Sequence, residues 1–233
     1  MKIPWLSVGH IEDAARSLRV RSLGDEFGQT ALVDLDGILY DYLCEKEGLS
    51  FSDEHDLGTV DGETILGRFM PMSGKIEIAA SLKKGVDLGR YRFTVAHEIG
   101  HWVLHRSLYL AEAETLDLFQ FSDHSLPLTS LNENVFPDRS AAAQRPEEWQ
   151  ANRFAIALLI DAGQLRHEFG QRFGLKPVAL EYPDQSLRGL SRALAKRATA
   201  TCTPLCTVFG LSTEAMAIAL EERGYAVTAA PIL

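Results

Sequence analysis

Apolar positions at steps of three and four mark two helices in this chain. Residues 90–105 read RYRFTVAHEIGHWVLH, and Phe93, Ala96, Ile99, Trp102 and Val103 recur with that period, which predicts a buried amphipathic helix. A second helix is predicted over residues 146–160, PEEWQANRFAIALLI. Pro146 suits its first turn, and Glu147 and Glu148 complement the positive end of the dipole. Phe154, Ala155, Leu158 and Leu159 form its apolar stripe. Residues 10–22 predict a shorter helix. Ile76 and Ile78 alternate with Lys75 and Glu77, the period of a half-buried strand. Together with ILGRFM before them and Pro71-Met72-Ser73-Gly74 between, they predict a hairpin. Residues 30–42 mix apolar runs with the turn signal Asp36-Gly37, and read either as a hairpin or as a strand entering a helix. Residues 52–63 are acidic and polar and read as a loop.

Between the two main helices, residues 106–146 are rich in Pro, Ser and Asn and poorly periodic. They predict a long loop or inserted lid, since structureless loops of that length are usually functional or disordered. The C-terminal third reads as helical, over 163–173, 187–198 and 212–223, the last with Ser212 as N-cap and Gly224 at its end. Residues 205–223 also admit a helix-turn-helix reading, but EAMAIALEERG is acidic where a recognition helix would be basic. The predicted organisation is α+β: a small antiparallel sheet leads into the motif helix within residues 1–160, followed by a helical subdomain over 161–233.

Composition narrows the class. The chain has 233 residues, 46% hydrophobic and 24% charged, as in ordinary globular proteins. No apolar run approaches the roughly 18–20 residues needed to span a bilayer, and the N-terminus has no signal-peptide pattern. Cys44, Cys202 and Cys206 are few and odd in number, which argues against a disulfide framework; small buried side chains in a reducing cytoplasm fit better. A net charge of −9 disfavours direct duplex-DNA binding. The basic cluster Arg188, Arg192, Lys196 and Arg197 reads as a solvated helix face.

The candidate chemistry lies in His97-Glu98-Ile99-Gly100-His101. Residues four apart share a helix face about 5–6 Å apart at Cβ, so His97 and His101 can hold one divalent metal. Glu98 can then reach a water on that metal as general base. Gly100 costs helix propensity but is expected to leave room beside the metal.

A catalytic zinc site needs three protein ligands and a water. His105 is rotated by about 80° and displaced about 12 Å along the helix from His97, too far to join the same metal. His124 lies in the loop with nothing to fix it. Glu148 is the better third ligand. Asn152, one turn later on the same face, can orient a ligand histidine, and Ala151 allows two helices to approach closely. His₂Glu donors fit Zn²⁺ best, with Mn²⁺ or another divalent ion as alternatives. An extended substrate is expected along an open sheet edge at Lys75, Ile76, Glu77 and Ile78. The oxyanion donor stays open among Tyr109, His124 and arginines.

RFTVAHEIGHWVLH followed by EEWQANRFAIALL resembles the ImmA/IrrE-type metallopeptidases, which pair R-F-T-x-A-H-E-x-G-H-x-x-x-H with E-x-x-A-N-x-F-A-x-x-L-L. The strand pattern G-R-F then K-I-E-I-A and the late segment LSTEAMAIALEERGY are also similar, so the resemblance spans roughly residues 30–225. It implies a zincin-like core of gluzincin type, with His97, His101 and Glu148 as zinc ligands and Glu98 as general acid/base. Ile160-Asp161 departs from the Met-Pro that often follows in the family, and the spacing between the two motifs is long. The resemblance further implies a protein substrate, an Xre-type helix-turn-helix repressor encoded separately, within a stress-response or mobile-element circuit. Two other readings remain: a non-catalytic metal-binding sensor module, and a toxin or effector protease with another target. Neither oligomeric state nor activating signal is legible.

Overall fold

The computed structural model describes residues 3–24, 28–60, 62–85, 88–115, 128–131, 145–174, 176–181 and 199–229. The chain opens with helix α1 (Val8–Leu23), whose N-cap Ser7 side chain accepts from the His10 amide. A π-helix, Gly37–Cys44, then runs into the short helix α2 (Glu45–Glu47). Of the two readings of residues 30–42, the hairpin is absent, and of a strand entering a helix only the helix is present, from residue 35 onward. Asp34 Oδ1 accepts from the Gly37 amide at 3.0 Å, so the Asp-Gly pair begins a helix instead of turning a hairpin.

Strands β1 (Ser50–Ser52), β2 (Thr59–Val60), β3 (Glu63–Met70) and β4 (Lys75–Ile78) follow. The predicted β3–β4 hairpin is present, with Arg68 opposite Glu77 and Phe69 opposite Ile76. The sheet order is β1-β4-β3-β2, and β5 (Leu128–Leu131) also pairs with β3. The sheet is mixed, not antiparallel throughout, because β1 runs parallel to β4. A parallel pair needs a crossover, and here the chain makes it through β2 and β3.

Helix α3 (Ala80–Lys84) leads to the long helix α4 (Leu88–Thr115). The predicted 90–105 helix thus continues for ten more residues; of the expected 106–146 loop, part is helix, part is β5 and Arg145 is irregular, and the rest lies outside the described residues. Helices α5 (Pro146–Leu159) and α6 (Ala162–Phe173) come next. Strand β6 (Val178–Glu181), helices α7 (Thr199–Phe209) and α8 (Thr213–Glu222), and strand β7 (Ala226–Ala229) complete the chain. Strands β6 and β7 pair in parallel. The helix predicted over 187–198, with its basic cluster, lies outside the described residues.

One hydrophobic cluster runs from Ile11 in α1 to Ala226 in β7 and crosses position 160 without a break. Ala215, Met216, Ala217, Ala219 and Leu220 of α8 are fully buried in it. That burial packs one side of α8 into the core and leaves Glu222 exposed on it, an acidic residue where a recognition helix would be basic. The turn between α7 and α8 braces the start of α4: a Cβ at Gly89 would lie 2.4 Å from the carbonyl carbon of Leu211. Among the described residues, no helix is long and apolar enough to cross a membrane.

Candidate metal centre

Helices α4 and α5 cross at Gly100 and Ala151. A Cβ at Gly100 would lie 3.1 Å from Ala151 Cα and 3.2 Å from both Ala151 O and Phe154 Cδ1. Gly100 therefore serves the approach of the two helices, where the sequence suggested space beside a metal; Ala151 plays the predicted part. The crossing brings Glu148, in the first turn of α5, against the histidine face of α4. Its position there also favours a carboxylate at the positive end of the helix dipole.

His97, His101 and Glu148 converge, each offering one ligand atom within 4.8 Å of the others. All three are buried, at 3%, 0% and 4% exposure, which marks a site away from bulk solvent. His97 Nε2 lies 3.0 Å from His101 Nε2. Glu148 Oε2 is 3.4 Å from His97 Nε2, and Glu148 Oε1 is 3.6 Å from His101 Nε2. Tetrahedral ligands about 2.0–2.1 Å from zinc are about 3.3 Å apart, so these separations fit. The other ring nitrogens are engaged elsewhere. His97 Nδ1–H donates to Asn152 Oδ1 at 2.7 Å, and His101 Nδ1 faces His105 Nδ1 at 3.0 Å. Two imidazole lone pairs 3.0 Å apart repel unless a proton or cation sits between them and the carboxylate. The donor set fits a divalent metal ion for that reason.

Charge acts on the two histidines in opposite directions. Burial works to lower His97, but the hydrogen bond and charge of Glu148 outweigh it and raise the net value above the ordinary range. Burial, with His97, His105 and Arg145 nearby, holds His101 well below that range. His101 is thus kept neutral, as a metal ligand must be.

Glu98 is fully buried beside this cluster. Strand β3 crosses it at Gly67, where a Cβ would fall 2.6 Å from Glu98 Oε1 and 2.9 Å from Thr94 Cγ2. Arg145, just before α5, donates from Nη2 to Glu148 Oε1 at 3.0 Å. Burial first, then the charges of Glu147 and Glu148, push the Tyr109 phenol up to about 12, so it remains an O–H donor at neutral pH. His124 lies outside the described residues.

The open edge expected at Lys75, Ile76, Glu77 and Ile78 is not there. Strand β1 pairs with residues 75–77 on one side of β4, and β3 pairs with residues 75–78 on the other. Ile76 and Ile78 are core residues, while Glu77 is ion-paired to Arg68 at 2.5 Å and Lys75 at 2.6 Å. Sequence reasoning also passed over Gly67, Arg145, Gln150 and Pro4. Gly67 alone had a local signal, as a glycine inside a strand pattern, which often marks close backbone approach.

An α+β fold with a buried His-His-Glu cluster on two crossing helices defines a class of protein able to hold a metal ion within its core. The family model described as the IrrE N-terminal-like domain, of the peptidase M78 family, matches residues 82–221, and the chain belongs to that family. No curated protein matches the chain. Among solved structures, the chain is similar to a Mycobacterium tuberculosis transcriptional regulator at 19% identity with a TM-score of 0.41. That similarity covers 88% of this chain and 44% of the other, so the chain spans less than half of that protein's length.

Proposed function

We propose that the chain is a metal-dependent endopeptidase in which His97, His101 and Glu148 hold a divalent cation and Glu98 is the general base and acid. The observation that carries this reading is the convergence of three buried ligand atoms beside a fourth buried group, the Glu98 carboxylate. His₂Glu with an open position is a catalytic zinc donor set. When bound, the cation polarises the scissile carbonyl and lowers the pKa of its water. A carboxylate oxygen of Glu98 takes a proton from the water as its oxygen attacks the carbonyl carbon. Glu98 then passes that proton to the amide nitrogen as the carbon–nitrogen bond breaks. Asn152 and Arg145 orient His97 and Glu148. Tyr109 supplies a protonated hydroxyl as a candidate oxyanion donor.

The strand that reaches Glu98 is β3, so an extended peptide presented to that carboxylate would run along β3. Its side away from β4 is paired with β5, with Ser130 opposite Gly67. In this reading β5 holds the peptide's place, and cleavage follows its displacement. The substrate class inferred from the family is a separate helix-turn-helix repressor. The buried Glu98 carboxylate next to His97 supports the enzyme over a metal sensor without turnover.

The test is incubation of the zinc-loaded protein with a candidate repressor encoded beside it. Cleavage by the wild type, and none by a Glu98→Gln variant of equal metal content, is the expected result. Full activity in that variant contradicts the assignment of Glu98.

A further inference from the structure

Beyond the ligands, a chain of buried hydrogen bonds runs from His101 to the N-terminal segment. His101 Nδ1 meets His105 Nδ1 at 3.0 Å, and His105 Nε2 meets Gln150 Oε1 at 3.0 Å. Gln150 Nε2 then donates to the carbonyl oxygen of Pro4 at 2.9 Å. We propose that Pro4, Gln150 and His105 form a positioning relay that fixes the tautomer and ring orientation of His101, so that its Nε2 lone pair faces the metal site. The proposal rests on the metal-site reading above.

The direction of every bond follows from the Pro4 end. A carbonyl oxygen only accepts, so the amide nitrogen of Gln150 must face it, and the amide oxygen must face His105. That oxygen also only accepts, so His105 carries its proton on Nε2. With that proton on Nε2, the second ring nitrogen of the fully buried, neutral imidazole carries none. Its Nδ1 is therefore bare and can only accept from His101 Nδ1–H. His101 is left with a bare Nε2, 3.0 Å from His97 Nε2. The other ligand histidine reaches the same tautomer independently, through Asn152.

The anchor is held in place by packing. Trp5 stacks on Trp149 with ring centroids 4.6 Å apart and planes 21° from parallel. Trp149 and Gln150 are adjacent on α5, so one helix turn binds the N-terminal segment from two directions. Gln150 and His105 have no solvent exposure. No water can replace a lost partner there without a cavity to hold it. His105, too far along α4 to be a ligand, thus acts on the metal through His101.

The experiment is a zinc competition titration against a chelator on the full chain, for the wild type and the variants His105→Leu, His105→Gln and Gln150→Leu. His105→Leu leaves His101 Nδ1–H with no acceptor, and zinc affinity is expected to fall about 10–100-fold, as for other lost partners of ligand histidines. His105→Gln can accept from His101 with its oxygen and donate to Gln150 with its nitrogen, so affinity should return to within a few-fold of wild type. A role confined to filling space would give the reverse order, with leucine tolerated. Nitrogen-15 imidazole spectra of the zinc-loaded wild type should show His105 as the Nε2–H tautomer and His101 as Nδ1–H. Finding His105 as Nδ1–H, or unchanged affinity in His105→Leu, overturns the relay. A wild-type protein that takes up no zinc overturns the metal site itself, and the relay with it.

Discussion

Gly67 lies so close to Glu98 that a methyl group on its Cα would sit 2.6 Å from the Glu98 carboxylate oxygen. The strand and the proposed base are fitted to each other, and the glycine is what makes the fit possible. Gly67→Ala should displace the carboxylate without touching a ligand. A misplacement of about 1 Å can cost about 10²-fold in rate. The expected outcome is that loss in kcat/KM with metal content unchanged, read by a cleavage assay beside elemental analysis. Wild-type kcat/KM in Gly67→Ala would show that the contact does not position Glu98.

The crossing of α4 and α5 at Gly100 and Ala151 sets the distance between the histidines and Glu148. Gly100→Val forces the helices apart, because the obstructing atoms are largely backbone. Overpacking of this kind typically costs about 1–3 kcal/mol. At roughly 2–4 °C per kcal/mol for a chain of this size, Tm of the metal-free protein should fall by several degrees. Zinc affinity should fall as well. A variant that loses stability but keeps wild-type affinity would separate the crossing from the ligand geometry.

Both helices that carry the His-His-Glu group were legible because their evidence is local. The HExxH spacing, the apolar periodicity around it and the E-x-x-A-N pattern each lie within a few turns of one helix. Glu148 could be chosen for the same reason, from its place one turn before Asn152. What escaped notice depends on contacts between distant segments. Nothing near Gly67 announces Glu98, and nothing near Pro4 announces Gln150. The open edge expected at Lys75–Ile78 fails for the same reason: alternation reveals a half-buried strand but not its neighbours, and β1 covers that edge. The π-helix over Gly37–Cys44 was missed because a π-helix has neither the period of an α-helix nor that of a strand.

Glu77 gives the fold an acid-sensitive element. Burial acts to raise its carboxyl, but the hydrogen bonds and charges of Lys75 and Arg68 outweigh it and hold the net value below the ordinary 4.5. A carboxylate depressed in the folded state adds stability above its unfolded pKa, and that stability is lost as pH falls through the folded value. Thermal melts of the wild type should therefore lose stability from the ordinary glutamate range downward. Glu77→Gln should be less stable at neutral pH and show a flatter acid limb. Parallel acid limbs in the two proteins would remove Glu77 from the account.

Strand β5 pairs with the side of β3 that an extended peptide would need. Thr129→Pro should weaken that pairing, since proline lacks the amide proton and is poorly accommodated in a paired strand. If β5 holds the substrate's place, repressor cleavage by this variant should rise several-fold at unchanged zinc affinity. Unchanged or lower cleavage with intact zinc binding would show that β5 is no obstacle.

The central claim is that a single metal is held jointly by His97 and His101 of α4 and Glu148 of α5. The most direct measurement is zinc content and affinity of the purified wild type beside Glu148→Ala, with Glu98→Gln as the control next to the site. The account predicts one zinc per chain in the wild type and in Glu98→Gln, and a large loss of affinity in Glu148→Ala. Equal zinc content and affinity in the wild type and Glu148→Ala would contradict it.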